Sequence, residues 1–170
     1  MKAVHPLAQL PQWMFLALMV SEGTEVNDPA DPGGHTKYGI SKRAYPHEDI
    51  AALTSERARQ LYERDYWLDD KVFLLAPALA YCVFDTNVNS GEAQAVKLLQ
   101  RILGVPADGE LGPATAGAAR GRADAVGLEV LVKEYSKARA EFLIGLNKPR
   151  FIKGWLARVK RVQTEALTHV

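Results

Sequence analysis

Ser21-Glu22-Gly23-Thr24-Glu25-Val26-Asn27-Asp28-Pro29-Ala30-Asp31-Pro32-Gly33-Gly34-His35-Thr36-Lys37-Tyr38-Gly39-Ile40-Ser41 is the stretch on which the reading of the fold turns. It follows the longest uninterrupted apolar run of the chain, Trp13 to Val20. Pro11 suits the first turn of a helix, because a proline there gives up an N–H that would have no partner in any case. Residues 12–21 therefore predict a buried helix, with Gly23 as its C′ residue. Asn27-Asp28-Pro29 and Asp31-Pro32-Gly33-Gly34 are strong turn signals. Residues 24–41 accordingly predict a loop or small β-hairpin, an excursion from an otherwise helical chain.

Outward from this stretch the punctuation is helical. Thr54 is a good N-cap with Glu56 in the first turn, and a helix is expected to about Trp67. Pro77 opens a helix over residues 78–89 that closes near Gly91. Residues 92–103 carry Val96, Leu99 and Leu103 at helical spacing, with Gly104 as cap. Pro113 starts a short helix, and residues 124–146 a long one. Trp155, Val159, Val162 and Ala166 mark the last helix at steps of four, three and four. The expected class is mainly α, with one small β-hairpin after the first helix.

The chain has 170 residues, of which 48% are hydrophobic, enough for a sizeable core. A net charge of +1 argues against a nucleic-acid binder. The six basic residues from Lys148 to Arg161, with no acidic residue among them, form a solvated face or a patch that attracts an anionic polymer. The single cysteine, Cys82, allows no internal disulfide and sits in an apolar stretch, as a small buried hydrophobe does. His5, His35, His47 and His169 lack zinc-ligand spacing, so no metal site is expected. The apolar run at Trp13 is too short to span a bilayer, so no membrane insertion is expected. Pro6 and Pro11 interrupt the approach to it, and no cleavage-site pattern follows, so no clear signal peptide is read. The expectation is a protein made in the cytoplasm that needs another factor to reach an external target.

Glu22 is the residue on which chemistry would rest. Glycoside hydrolysis uses one carboxylic acid to protonate the leaving oxygen and a second polar or acidic group on the other side of the bond. The acid works best in a partly apolar setting. Glu22 stands where an apolar helix gives way to a polar loop, and that loop offers Asp28, Asp31 and Thr36. Bland alternatives stand beside each choice. Glu22 could be a surface residue at a helix end, Asp31 turn chemistry, and Thr36 a β-branched strand residue. Tyr38, Tyr66 and Trp67 could stack on sugar rings or pack in the core.

The spacing Glu22, Asp31, Thr36 is similar to that of the bacteriophage lysozymes. The longer string is more specific. Ser21-Glu22-Gly23, Val26-Asn27-Asp28-Pro29, Asp31-Pro32-Gly33-Gly34 and Thr36-Lys37-Tyr38-Gly39-Ile40-Ser41 resemble glycoside hydrolase family 108, which contains phage endolysins and secretion-associated muramidases. Asp65-Tyr66-Trp67 and Phe84-Asp85-Thr86-Asn87-Val88-Asn89-Ser90-Gly91 also resemble it. Leu99-Gln100, Leu103-Gly104-Val105 and Asp108-Gly109-Glu110-Leu111-Gly112-Pro113-Ala114-Thr115 are similar to the peptidoglycan-binding region that accompanies the family.

The resemblance implies a lysozyme-like helical fold and an N-acetylmuramidase that cleaves the β-1,4 bond between N-acetylmuramic acid and N-acetylglucosamine. It implies Glu22 as general acid, with Asp31 and Thr36 orienting the attacking water. It implies bacterial peptidoglycan as partner, no cofactor, a monomer, and action on the wall after export or holin-mediated release. Tyr38, Trp67, Asn87 and Asn89 are the expected sugar-binding residues, although Asn87 and Asn89 could equally cap the helix before Gly91. The sequence departs from the family where Thr24 and Glu25 replace the usual second glycine and aromatic, and Glu25 puts a second negative charge near Glu22. Residues 1–91 read as the catalytic part and 92–170 as the peptidoglycan-binding-like part, packed into one unit because no Ser- or Gly-rich linker separates them. The alternatives to a muramidase are a lytic transglycosylase, a chitinase and a non-catalytic peptidoglycan-binding protein.

Overall fold

The computed structural model describes residues 9–22, 25–26 and 35–170, and these form two units, Leu10–Asp65 and Tyr66–Val170. In the first unit, helix α1 spans Gln12–Glu22 and buries Met14, Phe15 and Leu18 on one face. Glu22 is thus the last helical residue, one position beyond the end expected from the sequence. Gly23, the expected cap, lies outside the described residues, as do Asp28 and Asp31.

Three two-residue strands follow, β1 (Glu25–Val26), β2 (Thr36–Lys37) and β3 (Ile40–Ser41), all antiparallel in the order β1-β2-β3. Within the expected excursion over residues 24–41, β2 and β3 form a tight hairpin and β1 pairs along its edge. Lys37 pairs with Ile40, so Tyr38 and Gly39 alone make the turn, at φ 53° and 74°. Two successive positive φ values give a two-residue turn the twist that suits a hairpin. Gly39 adopts its value without steric cost, whereas Tyr38 does not.

Helix α2 spans Ser55–Tyr62, and Thr54 caps it by accepting a 3.2 Å hydrogen bond from Arg57 N on its hydroxyl. Leu10 N and Arg59 both donate to Glu63 Oε2, at 2.9 and 2.8 Å, which ties the start of the unit to its end. The helix expected to run to Trp67 instead changes into a π-helical turn over Glu63–Leu68.

The second unit contains a 3-10 turn, Val72–Leu74, then α3 (Pro77–Ser90), α4 (Glu92–Leu103), α5 (Pro113–Val126), α6 (Leu128–Gly145) and α7 (Pro149–Leu167). Helix α3 is buried continuously from Ala78 to Asn87 and packs against α4, α6 and α7. A helix apolar on all sides is one surrounded by others. Gly91, at φ 84°, separates α3 from α4, and Gly104, at φ 71°, closes α4.

Two sequence expectations need correction. The helix after Pro113 is not short, and the long helix does not begin at Asp124. Gly127, at φ 91°, ends α5 with a 2.8 Å bond to Ala123 O, and α6 starts after it. The Ala- and Arg-rich sequence before Gly127 is helix-favouring, so a single glycine sets the boundary. Cys82 is buried as expected, and burial pushes its thiol up to about 12.

The Asp108-Gly109 turn is a structural clasp. Gln100, itself buried, donates from Nε2 to Asp108 Oδ1 (2.6 Å), Glu110 O (3.1 Å) and Thr115 Oγ1 (3.2 Å), while its Oε1 accepts from Gly109 N (2.9 Å). The backbone N–H of Glu110 and the Gln100 amide hold the Asp108 carboxyl below its ordinary range. The motif Asp-Gly-x-x-Gly-Pro-x-Thr therefore welds α4 to α5.

Candidate active site

In the first unit, three elements converge on Tyr62. Phe15 of α1 packs on its ring, with centroids 6.1 Å apart. Its hydroxyl donates to Tyr38 O at 3.1 Å, which holds the hairpin turn against α2. Glu22 comes from α1 to the same turn. A Cβ placed on Gly39 would lie 3.1 Å from Glu22 Cβ and 3.2 Å from its Cγ, and would collide with the Tyr62 hydroxyl. The aliphatic stem of Glu22 is therefore seated on the bare backbone of Gly39, and Glu22 is half-buried.

Thr36, on β2, and Tyr38, the first residue of the turn, both precede Gly39 on the hairpin, and both are half-buried. Lys37 donates to Ala51 O at 3.0 Å and lies 5.8 Å from the centre of the Tyr38 ring, pinning the strand to the loop that precedes α2. Glu22, Thr36 and Tyr38 thus belong to one small assembly of α1, hairpin and α2. Asp31 lies outside the described residues.

Gly39 and Tyr62 were not singled out as site residues from the sequence. Gly39→Ala is expected to destabilise the protein by about 2 kcal/mol, because a left-handed alanine costs roughly 1–2 kcal/mol before any clash. In a Tyr62→Phe background, which removes the colliding oxygen, the loss is expected to be smaller. Urea unfolding of the four proteins of this cycle checks the coupling, and an additive result would show that the two residues do not press on each other.

The remaining sequence candidates lie in the second unit. Trp67 is 2% exposed and meets Phe84 edge-on at 5.9 Å, so its ring is packed in the core. Asn87 is buried, and its side-chain nitrogen donates to Tyr66 O at 3.3 Å and to Asp70 Oδ2. It thereby holds part of the π-helical turn, while the bond closing α3 runs from Gly91 N to Asn87 O, between backbone groups. Asn89 is exposed and accepts a 3.3 Å bond from the Ser90 hydroxyl. Burial, then repulsion and a hydrogen bond with Asp70, raise the pKa of Glu92 beside this cluster.

The second unit also holds a buried ion cluster that the sequence reading missed. Asp85, 0% exposed, pairs with Arg139 (2% exposed) at 2.7 Å and with Arg158 (12% exposed) at 2.9 Å. The signal was legible. Asp85 is a lone acid in the apolar α3 run, and Arg139 lies four residues after Tyr135 and four before Leu143, on the buried stripe of α6. Arg158 belongs to the basic run but faces inward, so it is no part of a solvated face. A cleft of about 420 Å³ between the 3-10 turn, α3 and α5 is lined mainly by Phe73, Leu74, Leu79, Ala119 and Ala123, and none of the sequence-predicted site residues lines it. Among the described residues, no group of three or more His, Cys, Asp or Glu could hold a metal ion.

Residues 15–91 match the family model described as Glycosyl hydrolase 108, and residues 94–160 match one described as Predicted Peptidoglycan domain. No curated protein matches the chain. Among solved structures, that of Brucella abortus SagA is similar, at 31% sequence identity over 94% of this chain and 97% of that chain, with a TM-score of 0.77. The junction between the two family matches falls between α3 and α4, two helices that pack against each other within one unit.

Proposed function

Because the chain belongs to the glycosyl hydrolase 108 family, with a peptidoglycan-binding region after it, we propose that this peptidoglycan hydrolase is an N-acetylmuramidase with Glu22 as its general acid. The observation that carries this reading is the seating of Glu22 at the C-terminal end of α1, against the Gly39 turn. A general acid must be held in one place relative to the oxygen it protonates. A carboxyl whose stem rests on backbone, between two helices and a hairpin, meets that need.

In the proposed reaction Glu22 gives its proton to the glycosidic oxygen as the C1–O bond of the N-acetylmuramic acid residue breaks. Positive charge develops at C1 and the ring oxygen. Water adds to C1, and its proton passes to the Asp31 carboxylate. Asp31 and Thr36 are proposed to orient that water; Thr36 lies on β2 of the hairpin whose turn seats Glu22. The substrate lies outside the cytoplasmic membrane, so the reading requires a route across it.

Mass spectrometry of digested peptidoglycan tests the reading. The expected products end in a reducing N-acetylmuramic acid, one water heavier than the 1,6-anhydro sugar of a lytic transglycosylase. Anhydro ends would replace the hydrolase by a transglycosylase. An undigested wall to which the chain binds would replace it by a binding protein.

A further inference from the structure

Helices α6 and α7 meet at a corner where every residue from 144 to 151 is exposed. Three of these carry large apolar side chains, Ile144 at 56% exposure, Leu146 at 42% and Phe151 at 50%. Scattered apolar residues on a surface are ordinary, but a cluster rimmed by charge marks an interaction site. Lys148 and Arg150 lie between them and Lys153 just beyond, all exposed. Trp155, half-buried, stacks on Phe151 at 5.7 Å and 21°, and the Arg150 guanidinium sits 5.6 Å from the Phe151 centroid. From Phe142 to Thr164 the chain has no acidic residue. Arg158 is held by Asp85, but Lys160 and Arg161 extend the positive charge along the exposed side of α7.

We propose that this α6–α7 corner is a peripheral docking surface for an anionic lipid bilayer. The chemistry selects that occupant. Branched aliphatic side chains need hydrocarbon, which a polar glycan strand does not offer, whereas the boundary between headgroups and acyl chains does. Aromatic rings settle at the same depth. Lysine and arginine beside them are drawn to the phosphates of anionic lipids. The turn is built to project these groups. Asn147, at φ 51°, reverses the chain, and Pro149 starts α7 at once, so Leu146 and Phe151 stand on either side of Lys148. No described helix is long and apolar enough to cross a membrane, so the contact is at headgroup level. The inference is independent of the catalytic role of Glu22.

Sedimentation of the full chain with vesicles tests it. The chain is expected to sediment with vesicles of equal parts phosphatidylglycerol and phosphatidylcholine, and to stay in solution with phosphatidylcholine alone. Ile144→Ser with Phe151→Ser is expected to weaken binding at least about tenfold through lost apolar contact. Lys148→Ser with Lys153→Ser is expected to do the same through lost charge, with a smaller difference at high salt. Both pairs are exposed, and circular dichroism identifies a variant that fails to fold, in which case the other pair decides. Failure of the wild type to bind phosphatidylglycerol vesicles overturns the proposal, as does binding that the folded variants retain in full. Binding to purified peptidoglycan that these variants abolish, with no binding to lipid, would assign the corner to the wall instead.

Discussion

Glu22→Gln is expected to lower the rate of peptidoglycan clearing by about 10² to 10⁴, the usual contribution of a positioned general acid. The substitution is nearly isosteric, so the stem still rests on Gly39 and the helix still ends at the same place. What is lost is the transferable proton. The leaving oxygen must then depart as an alkoxide or take its proton from water, which is neither positioned nor acidic enough. Circular dichroism and wall binding should therefore match the wild type while turbidity clearing does not. A variant that clears at a near wild-type rate would remove Glu22 from the mechanism. Asp31→Asn is a useful companion, because a residue that orients water should affect turnover and leave wall binding nearly unchanged. Asp28→Asn should do much less.

The second large effect is on stability. Asp85→Ala is expected to cost about 3–5 kcal/mol, the range found when one partner of a buried ion pair is removed. Asp85 is the anion shared by Arg139 and Arg158 in the interior of the helical unit. Without it, two guanidinium groups stay out of water with no opposite charge between them. Arg139 is already under-satisfied, since its Nε and Nη2 atoms are buried with no hydrogen-bond partner among the described residues. Arg139→Met is expected to cost less than Asp85→Ala. It removes those unpartnered atoms and leaves Asp85 paired with Arg158. Lys153→Ala, at an exposed position, should lie within about 0.5 kcal/mol of the wild type. Urea unfolding of the three variants gives the ranking. If Asp85→Ala proved the mildest, the cluster would not be holding α3, α6 and α7 together.

The helix that holds Asp85, α3, buries a second polar side chain. That helix carries Asn87, which reaches back to Tyr66 O and Asp70. A polar side chain inside an otherwise apolar helix is retained only if its partners are fixed. Asp85 and Asn87 are two such residues within one turn, bonded to different neighbours. Asn87, read from sequence as either a sugar ligand or a helix cap, instead ties α3 to the segment just after α2.

What the sequence determined by itself was local. Pro77 and Pro113 mark helix starts, Thr54 caps one, and Gly91 and Gly104 close two others, because each acts on backbone groups within four residues of itself. The β2–β3 hairpin and the family string were legible for the same reason, since both are written in consecutive residues. Gly127 is equally local, but the apolar periodicity on either side of it masks its single positive φ.

Only the tertiary structure decided the rest. That Gly39 supports Glu22, that Tyr62 closes the hairpin, and that Trp67 is buried while Phe151 is exposed depend on which faces of distant segments meet. Arg158 reaches an aspartate 73 residues earlier, although its neighbours in sequence read as one solvated basic face. Helical periodicity places a side chain around its own axis, but contains no term for the helix that will lie opposite. A charge at such a position is solvated or buried according to its partner, and that partner is fixed by packing.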